Sequence, residues 1–209
     1  MPRHPFLRPL PAACLALLLA APAWAHEPDT KGAPAMSAED KAMMDAWQKA
    51  GAVGTQHRQL AEHFAGSWNT SQTMWMDPSK PPMKETGKDT TTAILGGRQL
   101  RTDFRSRFMG KPFQGLGYTG YDNVRGKYFS SWTDDMSTST MMSWGDYDSA
   151  TRTYTFKGEM ADPMQGGGLM PVRETMRIVD KNHHVMEWFE QRDGKEVLSM
   201  RIEYARARR

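Results

Sequence analysis

The sequence predicts a mainly β protein, a closed antiparallel up-and-down barrel of about 8–10 strands that one or two α-helices precede. Two observations carry this prediction. From Gly66 onwards, short segments alternate apolar and polar residues with a period of two, which is typical of strands with one sheltered and one solvated face. These segments recur at a spacing of about 8–12 residues between Gly, Asp and Asn turns, which favours a meander that closes on itself.

The clearest alternation lies in residues 98–109. Leu100, Phe104 and Phe108 share one side of this segment, and charged residues occupy the other side. An Asp-Gly pair at 193–194 indicates a tight hairpin near the C-terminus, because glycine adopts the positive φ that such a turn requires. The predicted strands lie at 67–76, 86–95, 98–109, 113–121, 127–133, 138–145, 152–159, 172–179, 184–191 and 196–206.

Two amphipathic segments precede the strands. A first helix is predicted at 37–51 and a second at 55–64, each ending before a glycine or at one. Met43, Met44 and Trp47 form an apolar stripe on the first helix. We expect the helices to plug one end of the barrel or to cover a seam between strands. The alternative is that Trp47 binds a partner protein.

Residues 1–25 have the composition of a cleaved signal peptide, with a basic start, an apolar run and small residues ending at Ala25. The run is too short to anchor the chain across a bilayer. We therefore expect a periplasmic or secreted protein. Lipid attachment at Cys14 is not expected, because Pro11 stands where a lipoprotein signal has leucine.

The charge of the expected mature chain excludes one class of function. Cleavage removes two of the 27 Lys and Arg residues and none of the 24 Asp and Glu residues, which leaves a nearly neutral chain. This argues against nucleic-acid binding, which needs a broad positive surface. Stable membrane insertion is not expected either. The predicted signal peptide, disordered leader, helices and barrel occupy 1–25, 26–36, 37–64 and 65–209.

Several short motifs resemble one known family. They are Gly-Ser-Trp at 66–68, Ile-Leu-Gly-Gly-Arg at 94–98, Gly-Tyr-Thr-Gly-Tyr-Asp at 117–122, Tyr-Phe-Ser-Ser-Trp at 128–132 and Met-Arg-Ile-Glu-Tyr at 200–204. Over residues 58–207 the chain resembles the bacterial DUF1579 family, whose members have no assigned activity. The resemblance implies a lipocalin-like or calycin-like barrel and brings no catalytic residues. Gly66 and Trp68 are similar to the lipocalin Gly-x-Trp opening, so Trp68 is expected to close one barrel end under the second helix, with Arg206 stacked on it.

A barrel of this size can enclose one small ligand, and the chain is rich in aromatic residues. The first hypothesis is therefore binding of a hydrophobic or aromatic small molecule. Alternation places His184 and Trp188 on one face of their strand, and Glu174 inside the barrel. The residues expected to line the cavity are Trp75, Phe104, Tyr128, Trp132, Trp144, Tyr154, Glu174, His184 and Trp188.

Two alternatives stay open. One is a barrel enzyme of the hydrolase or isomerase type that uses an internal His or Glu. The other is a carrier of haem, through His184, or of copper, through His26 and the many methionines. His57 and His63 are six residues apart, which is poor spacing for joint metal binding, so we expect both at the surface or an edge. No metal site, cofactor or catalytic residue is predicted.

Overall fold

The computed structural model describes residues 36–77, 79–162, 166–192 and 194–208. The predicted signal peptide and nearly all of the predicted leader lie outside these ranges, as does the aspartate of the predicted hairpin at 193–194. Ala38–Arg209 form one compact unit. The helices and strands of the described residues all lie in this unit.

The described residues form two α-helices and ten strands. The helices are α1 (Ala38–Ala50) and α2 (Thr55–Phe64). The strands are β1 (Gly66–Met74), β2 (Met83–Ile94), β3 (Gln99–Phe108), β4 (Lys111–Asp122), β5 (Lys127–Asp134), β6 (Met141–Asp148), β7 (Thr153–Asp162), β8 (Gly168–Asp180), β9 (His183–Arg192) and β10 (Lys195–Arg206). Each predicted strand has its counterpart, and β8 begins earlier than expected because its first residues pair with the end of β7.

The strands form a closed barrel. Each strand pairs antiparallel with the next one along the chain, and β10 pairs back with β1. In this seam Trp68 stands opposite Arg206, and Met74 stands opposite Met200. The predicted fold class, a closed up-and-down barrel behind N-terminal helices, is confirmed.

Alternation sorts the strand residues into an inner and an outer layer. In β1, Trp68, Thr70, Gln72 and Met74 are buried, while the residues between them are more exposed. In β3 the predicted side, which carries Leu100 and Phe104, is the inner one. The inward side chains of the ten strands therefore decide what the barrel encloses.

Helix α2 plugs one end of the barrel. Its Leu60 and Phe64 are buried against inward residues of four strands, and together they form the helix-end core of Leu60, Phe64, Leu100, Tyr128, Tyr154, Phe156 and Ile178. None of these side chains is more than 6% exposed. We call this end the helix end and the opposite one the far end.

Helix α1 does not cover the barrel, so this part of the prediction is wrong. It has no buried residue, and Trp47 is 71% exposed. Its C-terminal end is held by the Asn123 side chain, which donates to the Ala50 carbonyl at 3.0 Å and to the Ala52 carbonyl at 2.8 Å. The apolar stripe of α1 thus faces solvent although the helix itself forms as predicted.

Candidate functional site

The helix end is closed by a contact between the first and last strands. The Trp68 indole Nε1 donates to the Phe64 carbonyl at 2.8 Å, which ties β1 to the end of α2. The Arg206 guanidinium lies 4.1 Å from the Trp68 ring centroid and donates to the Ala65 carbonyl at 2.9 Å. Gly66 has φ +141°, and a Cβ there would lie 2.3 Å from the Arg206 Nη1. Glycine is therefore required at this position.

His184 belongs to this closed end. It is 3% exposed, and its ring lies 4.2 Å from the Tyr204 ring, 4.5 Å from the Trp68 ring and 5.2 Å from the Phe64 ring. Its Nδ1 has no hydrogen-bond partner among the described residues. Burial lowers the pKa of His184 to about 3, so the ring is neutral. The prediction of an inward His184 agrees with the structure, but aromatic rings surround it.

Both histidines of α2 were expected at the surface or an edge, but His57 is buried, whereas His63 keeps part of its surface exposed. His57 is buried and accepts a hydrogen bond from the Gly54 backbone N–H at 3.2 Å. The His63 Nδ1 lies 3.0 Å from the Tyr154 hydroxyl. Burial lowers the pKa of both histidines. His57 shares a helical face with Leu60 and Phe64, and this spacing was the sequence signal for its burial.

Tyr128 and Tyr154, two of the predicted lining residues, form part of the helix-end core. Their ring centroids are 5.1 Å apart, and Tyr154 also contacts Phe64 at 5.3 Å. Tyr154 has no exposed surface. Burial raises the pKa of the Tyr128 hydroxyl to about 12. These tyrosines face inward and border packed side chains of the helix-end core.

The far half of the barrel is less completely filled. Phe113, Trp132, Trp188 and Met200, which we call the far-half lining, all point inward and all keep part of their surface free. An inward side chain in a closed barrel stays accessible only when it borders an internal space or an opening. The far-half lining therefore borders the open far end of the barrel or a space inside it, and Phe104 is buried beneath it.

The aromatic rings of this lining are held by their neighbours. The Phe104 ring lies 6.0 Å from the Trp132 ring and 6.2 Å from the Phe113 ring. Trp132 covers Gly115, where a Cβ would lie 2.0 Å from the indole ring. The Trp132 Nε1 donates to the Asp134 carboxylate at 2.9 Å. Trp132 is thus fixed in place by a glycine on one strand and a carboxylate on its own.

One predicted lining residue lies outside the barrel. Trp144 is on the outer face of β6, where it contacts Phe129, and the Arg125 guanidinium lies 4.2 Å from its ring centroid. Its assignment to the cavity is wrong. Trp75 follows the end of β1, and its backbone N–H donates to the Ser199 carbonyl at 2.8 Å. Its place in the lining stays a prediction.

A polar group that the sequence analysis missed lies at the middle of the barrel. Asp89 is buried between Trp68 and Phe104 on the neighbouring strands, and it accepts a hydrogen bond from the Thr91 hydroxyl at 2.8 Å. Thr91 in turn contacts the Thr102 hydroxyl at 2.8 Å. Burial raises the pKa of Asp89 to about 7. Polar residues surround Asp89 in the sequence, so its inward position left no apolar signal.

Glu174 faces the same interior from β8, as predicted. It stands opposite Phe156 on one side and Trp188 on the other. Its carboxyl group has no hydrogen-bond or ion-pair partner among the described residues, although part of its surface is free. Burial raises the pKa of Glu174 to about 7. Because Glu174 faces inward, has no partner among the described residues and keeps part of its surface free, its carboxyl group is available to a molecule inside the barrel.

Tyr204 lies near the carboxyl groups of both Asp89 and Glu174. Burial raises the pKa of its hydroxyl well above the ordinary value, and the negative charges of Asp89 and Glu174 raise it further. Asp89 from β2 and Glu174 from β8 are thus both close enough to Tyr204 on β10 for their charges to act on its hydroxyl.

The described ranges give no sign of a metal centre: within them, no three His, Cys, Asp or Glu side chains lie together as metal ligands would. The described helices are also too short or too polar to cross a membrane.

The family assignment rests on most of the barrel and α2. The model of a family described as a protein of unknown function, DUF1579, matches residues 53–206. The chain belongs to the DUF1579 family. This confirms the resemblance seen in the motifs.

Comparison with other proteins gives this DUF1579 member a fold and no activity. No curated protein matches the chain. The crystal structure of Rv2717c from M. tuberculosis is similar with a TM-score of 0.55 and 15% identity, covering 75% of this chain and 100% of that one. A redesigned β-barrel aligns with a TM-score of 0.37 and 13% identity, over 71% of this chain and 95% of the other. At such identities the likeness to Rv2717c concerns the fold alone.

Proposed function

We propose that this DUF1579 protein binds a small molecule with a hydrophobic or aromatic body in the far half of its barrel. The observation that carries the proposal is the free surface on the inward rings of the far-half lining. Exposed aromatic surface inside a barrel is unfavourable in water, and a ligand that covers it is stabilised by the hydrophobic effect. The packed side chains of the helix-end core would lie beneath such a ligand, because they close the other end of the barrel.

The polar groups supply orientation. Binding sites for small molecules are mostly apolar, with a few polar groups that fix how the ligand lies. Glu174 and the Tyr204 hydroxyl fit this role, because both residues face the barrel interior from different strands and Glu174 keeps part of its surface free. Glu174, with no partner of its own, is free to accept a hydrogen bond from the ligand.

An enzyme that uses an internal carboxyl group is the second candidate. Its supporting observation is that Asp89 and Glu174 both have a pKa of about 7. A general acid or base works best with a pKa near the operating pH. We do not propose a haem carrier, because His184 is packed among three aromatic rings at the helix end.

Export of the protein is a separate proposal. It is supported by the basic start, the apolar run and the small residues that end at Ala25. N-terminal sequencing of the protein from a periplasmic fraction is expected to begin at His26. A start at Met1 in that fraction would contradict it.

Ligand binding is tested with N-phenyl-1-naphthylamine, a neutral aromatic probe whose fluorescence rises in apolar surroundings. We expect saturable binding to the wild-type protein. Trp132→Ala is expected to weaken it about tenfold, because the lost ring contact is worth about 1.4 kcal/mol. Trp144→Ala is the matched control, since that ring lies outside the barrel, and it is expected to leave binding unchanged.

Absence of saturable binding to the wild type would contradict the proposal, as would equal losses in the two tryptophan variants. Native mass spectrometry of protein purified gently from its own host adds an independent readout. A co-purifying mass that is lost in Trp132→Ala and kept in Trp144→Ala would identify the natural ligand.

A further inference from the structure

We infer that the ligand is an organic cation, whose ammonium group contacts the Glu174 carboxylate while its apolar body packs against the far-half lining. The inference rests on the proposed function and names the chemical class of the ligand. Three independent features of the barrel interior support it: an unpaired carboxyl group, an acidic charge balance and aromatic rings beside the carboxyl.

The unpaired carboxyl group is Glu174. A carboxylate removed from bulk water is unfavourable unless a cation or hydrogen-bond donors replace its hydration. Other acidic groups of this protein have such partners: Glu190 pairs with Arg192 at 2.9 Å, and Asp89 accepts from Thr91 at 2.8 Å. For Glu174 no described residue provides one. A ligand that donates to this carboxylate would remove the deficit.

The charges inside the barrel favour a cation. By the strand register, the inward acidic residues are Glu85, Asp89, Asp134, Asp162, Glu174 and Glu190. The inward basic residues are Lys111, Arg192, Lys195 and Arg206. Each of these four is occupied or remote: Lys111 and Lys195 are exposed at the far end, Arg192 pairs with Glu190, and Arg206 lies over Trp68. The middle of the barrel is therefore acidic without an internal counter-charge.

Aromatic rings flank the carboxyl group. Trp188 stands directly opposite Glu174 on β9, and Phe156 stands opposite it on β7. Trp188 and Trp132 belong to the same cluster with Met200. The face of an aromatic ring attracts an ammonium group, and Trp attracts it most strongly. A carboxylate beside Trp rings is the combination that recognises amines and quaternary ammonium compounds.

The ionisation of the carboxyl groups is consistent with this ligand class. The pKa of Glu174 is about 7 because of burial, and a bound cation favours the charged form, so binding releases a proton near neutral pH. The Glu174 charge also contributes to the raised pKa of Tyr204 on β10, so the Tyr204 hydroxyl lies near this carboxyl group. On β9, His184 is neutral because burial lowers its pKa to about 3.

Two probes of the same shape, one charged and one neutral, separate the effect of charge on binding from the effect of shape. Phenyltrimethylammonium carries a positive nitrogen, and tert-butylbenzene has a neutral carbon in the same place. Binding of each is measured by tryptophan fluorescence and calorimetry at pH 8. We expect the cation to bind at least ten times more tightly to the wild-type protein. Glu174→Gln is expected to reduce the preference to about twofold or less while the neutral probe binds as before.

Glu203→Gln is the matched control, because Glu203 is an exposed glutamate on the outer face of β10. It is expected to keep the wild-type preference. Glu174→Gln removes an unpaired buried charge, so it should fold, and a thermal melt verifies this. The isostere comparison on the wild-type protein needs no variant at all.

The outcomes separate this inference from the proposed function. If both probes bind the wild type equally, or if Glu174→Gln keeps the preference, the inference is overturned while binding in the far half stands. If neither probe nor N-phenyl-1-naphthylamine binds, the proposed function fails, and the inference fails with it.

Discussion

The two halves of this barrel use the same strands and the same kinds of residue, yet their inward aromatic rings differ in exposure. At the helix end, Tyr154 and Phe156 are 0% and 1% exposed. At the far end, Trp132 and Trp188 point inward and keep free surface. Helix α2 contributes Leu60 and Phe64 to the helix-end core, whereas the buried far-half cluster of Met141, Met170 and Val172 consists of strand residues alone.

This contrast separates residues that stabilise the fold from residues that are available to a ligand. A fully enclosed ring stabilises the native state through its contacts. A partly exposed ring also has free surface that a ligand can contact. Asp89, Glu174 and Tyr204 lie at the boundary between the two halves. They are therefore supported from the helix end and face the space at the far end.

The largest expected effect is on stability at the helix end. Phe156→Ala is expected to lower the free energy of unfolding by about 4 kcal/mol, because it leaves a cavity in the helix-end core. Phe113→Ala, in the far half, is expected to cost about 1 kcal/mol because that ring is already partly exposed. Urea denaturation of both variants measures the difference. Equal losses would show that the halves are equally filled.

A smaller, pH-dependent effect is expected at the boundary. The pKa of Asp89 is raised from 3.8 to about 7 in the folded protein. Between these values the folded state holds a proton that the unfolded state releases, so the Asp89 contribution becomes destabilising as the pH rises from about 4 to about 7. Asp89→Asn removes this titration. It is expected to stabilise the protein by about 2 kcal/mol more at pH 8 than at pH 5.

Urea denaturation at the two pH values checks this prediction, with Glu203→Gln as the control whose effect should not change. The other titratable groups are the same in wild type and variant, so their contributions cancel in the difference. An equal effect of Asp89→Asn at both pH values would contradict the raised pKa.

The smallest effect is expected outside both halves. Trp47→Ala on α1 is expected to change the free energy of unfolding by less than about 0.5 kcal/mol, because the ring is 71% exposed and packs on nothing in the barrel. Thermal melts of the wild type and the variant make the comparison. A clear loss of stability would show that α1 contributes to the fold.

The strand pattern was readable where the two faces differ in polarity. In β3, apolar residues alternate with charged ones, so both the strand and its inner side could be predicted. In β6, large apolar residues lie on both faces, with Met141 inside and Trp144 outside. Only the pairing of Gly145 with Tyr128 decides which face is inner. That pairing is long-range information, and the wrong placement of Trp144 follows from its absence.

The closure of the helix end was predictable and the polar centre was not. Gly66, Trp68 and Arg206 could be assigned because glycine and tryptophan at this spacing resemble a known barrel opening. Asp89 lies in a segment of polar residues that gives no sign of burial. Glu174 was expected inside, but its lack of a partner depends on every strand around it. An unpaired group is a property of the assembled barrel.

The seam between β1 and β10 sets the order in which the molecule can assemble. All other strand pairs join neighbours along the chain, whereas Trp68 must meet Arg206, the last residue of the last strand. During synthesis β1 therefore keeps one unpaired edge until the C-terminus has left the ribosome, and such edges invite aggregation. In a circularly permuted chain that starts between two other strands, β10 and β1 would be consecutive strands joined through α1 and α2.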